Sequence, residues 1–275
     1  MKIVFITYGN STYEKSKQRI IKEAQNLNLF NQIIAYGPDN LSNEIKLSPL
    51  FQYKKGGGYW IWKSYIIKET LKKMDEGDIL FYADAGCSLF PSKQWEKYFS
   101  YLKKTSILVF KINCLNYRYI KSNVINAFKK TNGNYWHYSY QIAATTFFIK
   151  KNEFTTKFIE EWCNYCIPEF ILDVPTKERI FENKKFIDHR HDQAIFTALI
   201  YKYYYSHNIK IIWNDFEAKR KNQAIRASRI SDFSRRSNNK ENKIKNIIRY
   251  TIILPLRNVK QFFWTSFNNL YKKSL

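Results

Sequence analysis

The sequence predicts an α/β fold, with a mostly parallel central sheet flanked by helices and a basic helical tail at the C-terminal end. Three observations predict it. Apolar runs at 2–8, 32–36 and 79–83 have strand length, and the third is apolar on both faces, as central parallel strands are. A helical pattern over 14–28, with Ile20, Ile21, Ala24 and Leu27 on one face, separates the first two runs. Strand, helix and strand at this spacing begin a parallel sheet. After residue 218 the composition turns polar and basic, which separates a folded body at 1–218 from a tail at 219–275.

The elements follow in order. The strand at 2–8 runs into Gly9-Asn10-Ser11, and the strand at 32–36 is closed by Gly37-Pro38-Asp39. Gly56-Gly57-Gly58 precedes a helix expected over about 60–74. Gly77-Asp78 turns the chain into Ile79-Leu80-Phe81-Tyr82-Ala83, which ends at Asp84-Ala85-Gly86. Further strands are expected at 106–112, 143–149 and 209–213, and helices at 152–165 and 191–204. In the tail, apolar spacing returns over 244–273, and Pro255 should divide it into two short helices.

Composition narrows the classes. Hydrophobic residues at 45% are too many for a disordered chain, despite a formal charge of +23. Residues 219–275 carry 15 Lys and Arg against two acids, so more than half of that excess lies in the last fifth of the chain. Four cysteines (Cys87, Cys114, Cys163, Cys166) are too few and too scattered for a disulfide framework, and the Cys163–Cys166 pair falls on an amphipathic helix with no second pair to complete a zinc site. The apolar run after Met1 is too short for a signal peptide, and no stretch reaches the roughly 18 apolar residues of a spanning helix. A cytoplasmic location, or one on the inner face of a membrane, is expected.

Three constellations can carry chemistry. Asp84 ends a buried strand, and ligands of open α/β sheets bind outside the carboxyl ends of strands. A carboxylate there needs a partner: a divalent cation, a sugar hydroxyl, or the backbone N–H of the next turn. His189-Arg190-His191-Asp192-Gln193 opens a strongly apolar helix. Asp192 either complements the helix dipole or acts as a general base on a bound hydroxyl. Gly56-Gly57-Gly58-Tyr59-Trp60-Ile61-Trp62-Lys63 would let backbone approach a ligand, with Lys63 reaching for a pyrophosphate, though it lacks the frame of a Walker loop.

Together the blocks GGGYWIWK, GDILFYADAGC and HRHDQAIF resemble a group of bacterial glycosyltransferases that build capsular and lipopolysaccharide sugars, over roughly residues 1–215. The resemblance implies a GT-A-like, Rossmann-type fold, a nucleotide-sugar donor and a lipid-linked or oligosaccharide acceptor. It also implies an Asp-x-Asp motif holding Mn²⁺ or Mg²⁺ on the donor diphosphate. Asp84 matches the first Asp, but Gly86 stands at the second, so Asp84 would hold the ion alone or bind the donor directly. Thr7 and Tyr8 fall where the base and ribose dock, making Thr7, Tyr8, Lys63, Asp84 and Gly86 the expected donor site. Asp192-Gln193 matches the element placed beside donor sugar or acceptor. His191 joins that polar cluster, Gln141 would line the sugar pocket, and Trp60 and Trp62 could stack on a sugar ring or pack in the core.

The tail, with Lys245, Arg249, Arg257, Lys260, Lys272 and Lys273 beside Phe262, Phe263 and Trp264, fits an amphipathic segment on an anionic bilayer, or helices packed back on the folded body. Two readings compete with a transferase. A basic nucleic-acid-binding protein meets the charge criterion, but no binding motif appears, so no nucleic acid is expected. A catalytically dead transferase fold would suit the missing second Asp.

Overall fold

The computed structural model describes residues 1–213, 216 and 222–228. The tail helices expected over 244–273 lie outside them. One mixed sheet of seven strands forms the centre, in the order β2 (Gln32–Tyr36), β1 (Ile3–Tyr8), β3 (Ile79–Ala83), β7 (Thr146–Lys150), β5 (Ile107–Leu115) and β6 (Tyr140–Ile142), with β8 (Ile209–Trp213) also paired to β5. β1 is parallel to both β2 and β3, and β8 is parallel to β5; β7 and β6 run antiparallel to their neighbours. A small ribbon pairs β4 (Cys87–Leu89) with β9 (Ile225–Ala227).

Helices cover both faces, because β3 is buried at every residue and would otherwise leave one apolar side in water. On one face α1 (Glu14–Leu27) buries Ser16, Ile20 and Ala24, spaced four apart, and α3 (Gln94–Leu102) buries Trp95, Tyr98 and Leu102. Beneath them Phe5, Phe81 and Phe148 stack across three strands with centroids 5.2 and 4.5 Å apart. The other face carries α2 (Trp62–Lys72), α4 (Glu153–Asn164) and α5 (His191–Tyr203). The start of α4 is set by a reciprocal cap: Asn152 Oδ1 accepts from Thr155 N at 2.8 Å, and Thr155 Oγ1 accepts from Asn152 N at 2.9 Å. None of the described helices is long and apolar enough to cross a membrane.

Three differences from the sequence expectations matter. The strand expected at 143–149 is β7, which begins only at Thr146, after a break that separates it from the short β6 ending at Ile142. At the break, Thr145 O is free to accept the backbone N–H of Asp84 at 2.9 Å. The helix expected from Trp60 begins at Trp62, because the backbone before it is left-handed. The folded body also extends past residue 218: β9 and the fully buried Ala224 and Ile225 belong to it. A three-residue strand inside a basic, polar stretch has too little apolar periodicity to show in the sequence.

The chain leaves β1 to form β2 on one side and returns to form β3 on the other. That reversal opens a crevice at the carboxyl ends of β1 and β3, the place where open α/β sheets bind ligands. Asp84 stands at it.

Candidate active site

The site begins with a turn. Gly56, Gly57, Gly58, Tyr59 and Trp60 have φ of 60, 58, 91, 54 and 62°, five consecutive residues in the left-handed region. Glycine adopts it freely, but Tyr59 and Trp60 do so at a cost of roughly 1–3 kcal/mol each. Packing holds them there. A Cβ on Gly56 would lie 2.4 Å from the Trp60 ring, and one on Gly58 would lie 2.9 Å from Phe51 Cα. Trp62 Nε1 closes the turn by donating to Gly56 O at 2.9 Å, while its ring stacks on Tyr8 at 3.8 Å. Gly58→Ala therefore meets both a forbidden φ and a backbone clash. It is expected to lose at least roughly 1–3 kcal/mol of stability; an unchanged melting temperature would show that the turn tolerates a side chain.

The turn delivers Lys63, in the first turn of α2, to the crevice. Its Nζ lies 3.0 Å from Asp192 Oδ2 and 3.4 Å from Asp84 Oδ1. The Lys63 side chain is 4% exposed, that of Asp192 7% and that of Asp84 34%, so only Asp84 meets solvent appreciably. Lys63 Nζ also sits 5.4 Å from the centre of the Tyr82 ring and 5.8 Å from that of Trp62. The Tyr82 hydroxyl donates to Asp84 Oδ1. Burial pushes Tyr82 well above its ordinary value, and the Asp84 charge adds to that, so the hydroxyl keeps its proton.

Burial also raises Asp192, to about 6, against the downward pull of the Lys63 ammonium. Burial alone would lower Lys63, but the Asp192 and Asp84 charges outweigh it and hold its ammonium above the ordinary lysine value. Asp192 Oδ2 has the ammonium, at 3.0 Å, as its ionic neighbour.

Asp192 follows a third strained residue. His191 has φ of 44°, and its Nδ1–H donates to Ile171 O at 2.7 Å. That bond leaves Nε2 without a proton in the neutral ring, the form that burial favours here. Nε2 lies 3.6 Å from Asp173 Oδ1. Trp60 stacks on the His191 ring at 5.5 Å and Tyr59 meets it edge-on at 4.9 Å. Gln193 Nε2 donates to Gln141 Oε1, Gln193 Oε1 accepts from Ala144 N at 3.3 Å, and Gln141 Nε2 donates to Tyr119 O at 3.0 Å. Both glutamine amides thus brace the start of α5 against the strand break beside Asp84.

The structure brings together most of the sequence candidates. Lys63, Asp84 and Asp192 form one ion cluster; Trp60, His191, Gln193 and Gln141 adjoin it through α5, and Tyr8 through Trp62. Lys63, expected to reach for a pyrophosphate, has its ammonium between the two carboxylates. Thr7 alternates to the opposite face of β1 from Tyr8, fully buried, with no partner for Oγ1. Gly86 lies in the turn after Asp84.

Two groups escaped the sequence. Arg19 on α1 clamps that turn, with Nη2 donating to Ala85 O at 3.0 Å and Cys87 O at 2.9 Å, and Nη1 to Ser88 Oγ at 2.9 Å and Glu23 at 2.8 Å. Asp173 ties the lip of the site, accepting from Lys55 Nζ at 2.7 Å and the Tyr59 hydroxyl at 2.8 Å. Despite the upward push of burial, those two donors hold its carboxyl below the usual value. Only the left-handed turn places Lys55 and Tyr59 on Asp173, so no local pattern signals the contact.

Mn²⁺ or Mg²⁺ on Asp84 is a poor fit to these residues. Among the described residues no group of three or more His, Cys, Asp and Glu could hold a metal. The space between Asp84 and Asp192 already contains an ammonium. A divalent ion there would have to compete with the ammonium for the same two carboxylates while being repelled by its charge.

No protein-family model matches the chain, and no curated protein matches it. Among solved structures, one similar chain is a glycosyltransferase involved in glycosylation of the major capsid of the virus PBCV-1: 12% identity, TM-score 0.41, covering 78% of this chain and 82% of that one. Another is mouse xyloside xylosyltransferase 1, at 9% identity and TM-score 0.43, covering 77% and 85%. A third is 4-diphosphocytidyl-2C-methyl-D-erythritol synthase from Anaerococcus prevotii, at 12% identity and TM-score 0.42, covering 81% and 93%. The chemistry of the site rests on its own residues.

Proposed function

We propose that the protein transfers a glycosyl group from a nucleotide-sugar donor to a glycan acceptor. The observation that carries this reading is Asp84 at the carboxyl end of β3, beside β1 at the point where the strand order reverses, joined through Lys63 to Asp192. Nucleotide-type ligands bind α/β sheets at such points. The resemblance of the three sequence blocks to glycosyltransferases selects sugar transfer among the chemistries that the crevice would serve.

In this reading Asp84, the carboxylate open to solvent, faces the donor, with Tyr8 and the turn at Gly86 bordering it. Asp192 accepts the proton of the attacking acceptor hydroxyl. A value near 6 keeps it mostly ionised at neutral pH yet basic enough to take a proton, and as a carboxylate its oxygens have lone pairs to accept one. Being so buried, it would exchange that proton with a group docked against it rather than with bulk water. Trp60, partly exposed and stacked on His191, would border the acceptor sugar. For the acceptor we favour a lipid-linked sugar of bacterial surface polysaccharide synthesis, with the basic tail holding the enzyme on the inner face of the plasma membrane.

Thermal-shift measurements against UDP-, GDP-, CMP- and dTDP-sugars test the reading. A cognate donor at about 100 times its Kd should stabilise the protein by about 2.7 kcal/mol. Asp84→Asn should remove that shift and abolish transfer while leaving the fold intact. No shift with any donor, together with strongly salt-dependent binding to nucleic acid, would replace this reading with a binding protein.

A further inference from the structure

We propose that Lys63 is the resident cation of this site: its ammonium takes the place between Asp84 and Asp192 that a divalent ion would take, and the donor binds with no metal held by those two carboxylates. The word donor rests on the function proposed above, whereas the metal titration described below does not depend on it.

Four features of the geometry support the assignment. The ammonium lies within 3.0 and 3.4 Å of carboxylates from two different elements, the end of β3 and the start of α5. Lys63 is not a mobile surface side chain that happens to fall there. It is buried, its backbone N–H donates to Trp60 O at 3.0 Å, and the left-handed turn before it fixes where α2 begins. The Asp84 oxygen nearest Lys63 also accepts from the Tyr82 hydroxyl, so two donors converge on it. Finally, Gly86 lacks the carboxylate that would complete a metal-binding pair with Asp84, and Asp173 is engaged by Lys55 and Tyr59.

An ammonium does part of what a metal does and not the rest. It neutralises one of the two carboxylates and holds them apart in fixed positions. It offers no vacant coordination positions to phosphate oxygens, because an ammonium binds only through its N–H donors and this one is buried between two carboxylates. Lys63 is therefore a positioning residue that acts through Asp84 and Asp192. It also makes the site hostile to a second cation, so its removal should create a metal site where none existed.

The test is calorimetric titration of MnCl₂ alone into the full-length protein, compared with Lys63→Met and with Lys63→Met combined with Asp84→Asn. Wild type should show no saturable binding of Mn²⁺ at micromolar concentration. Lys63→Met should bind Mn²⁺ at least about tenfold more tightly than wild type, and the added Asp84→Asn should remove the gain. Saturable, Asp84-dependent binding of Mn²⁺ to wild type would overturn the proposal. So would a folded Lys63→Met that gains no site, since Lys63 would then not occupy a position a metal can take.

If Lys63→Met fails to fold, the wild-type titration still decides, and Lys63→Arg, which keeps the cation, should also bind no Mn²⁺. Donor binding by thermal shift should be unchanged by EDTA. Loss of the shift in EDTA and its return with Mn²⁺ would again overturn the proposal. Failure of every donor to bind would instead remove the proposed function and leave the Mn²⁺ titration to judge this one.

Discussion

Asp192→Asn is expected to lower turnover by about 10²–10⁴-fold, the range for loss of a general base. Asparagine keeps the shape and still presents an oxygen to Lys63, so the melting temperature should move far less than the rate. The pH profile separates a base from a group that merely holds its neighbours. Burial puts Asp192 at about 6 in the folded protein, and the base works only when ionised. Wild-type turnover should therefore rise as pH is taken up through about 6, and fall again as pH drops below it. In Asp192→Asn that limb should vanish, leaving a low rate that does not follow this ionisation. A rate limb near 6 that persists in the variant would assign the ionisation to another group.

Lys63→Met is expected to have the largest effect on stability. Methionine nearly matches the length of the lysine stem but leaves Asp192 buried and Asp84 half-buried with no cation between them. Removing one partner of a buried ion pair costs about 3–5 kcal/mol, because the remaining charge has lost both water and counterion. At roughly 2–4 °C per kcal/mol for a chain of this size, the melting temperature should fall by about 10 °C. The variant should also titrate differently. Lys63 pulls Asp192 downward, so without it the Asp192 carboxyl moves further above 6 and the rising limb of activity moves to higher pH with it. An unchanged melting temperature would mean that the ammonium is solvated and not bound in the cluster.

Much of the site was legible as a set of positions. Asp84 follows five residues that are apolar on both faces, and a carboxylate at the end of such a run has to lie at a strand end. Asp192 and Gln193 open a helix whose next seven residues are all buried, so their placement at a helix start is also local information. What each side chain would touch was not legible. Lys63 looked outward-facing because a helix expected from Trp60 would have directed it to an anion bound at the helix start. The helix over 14–28 shows in sequence only its apolar face, and nothing local marks Arg19 on it. Its four acceptors come from the chain around residues 85–88 and from Glu23, and only the packing of α1 over β4 brings them into reach.

The sequence by itself determined the α/β class, the flanking helices, and the positions of Asp84 and Asp192 at the ends of elements. These depend on burial and periodicity within a few residues of chain. Only the tertiary structure decided that the two carboxylates share one ammonium, that Thr7 turns away from them, and that β9 completes the body beyond residue 218. Those outcomes depend on the left-handed turn at Gly56–Trp60 and on strand pairings between distant segments. The turn persists because Gly56 lies under the Trp60 ring and Gly58 lies against Phe51, contacts that exist only once the chain has packed.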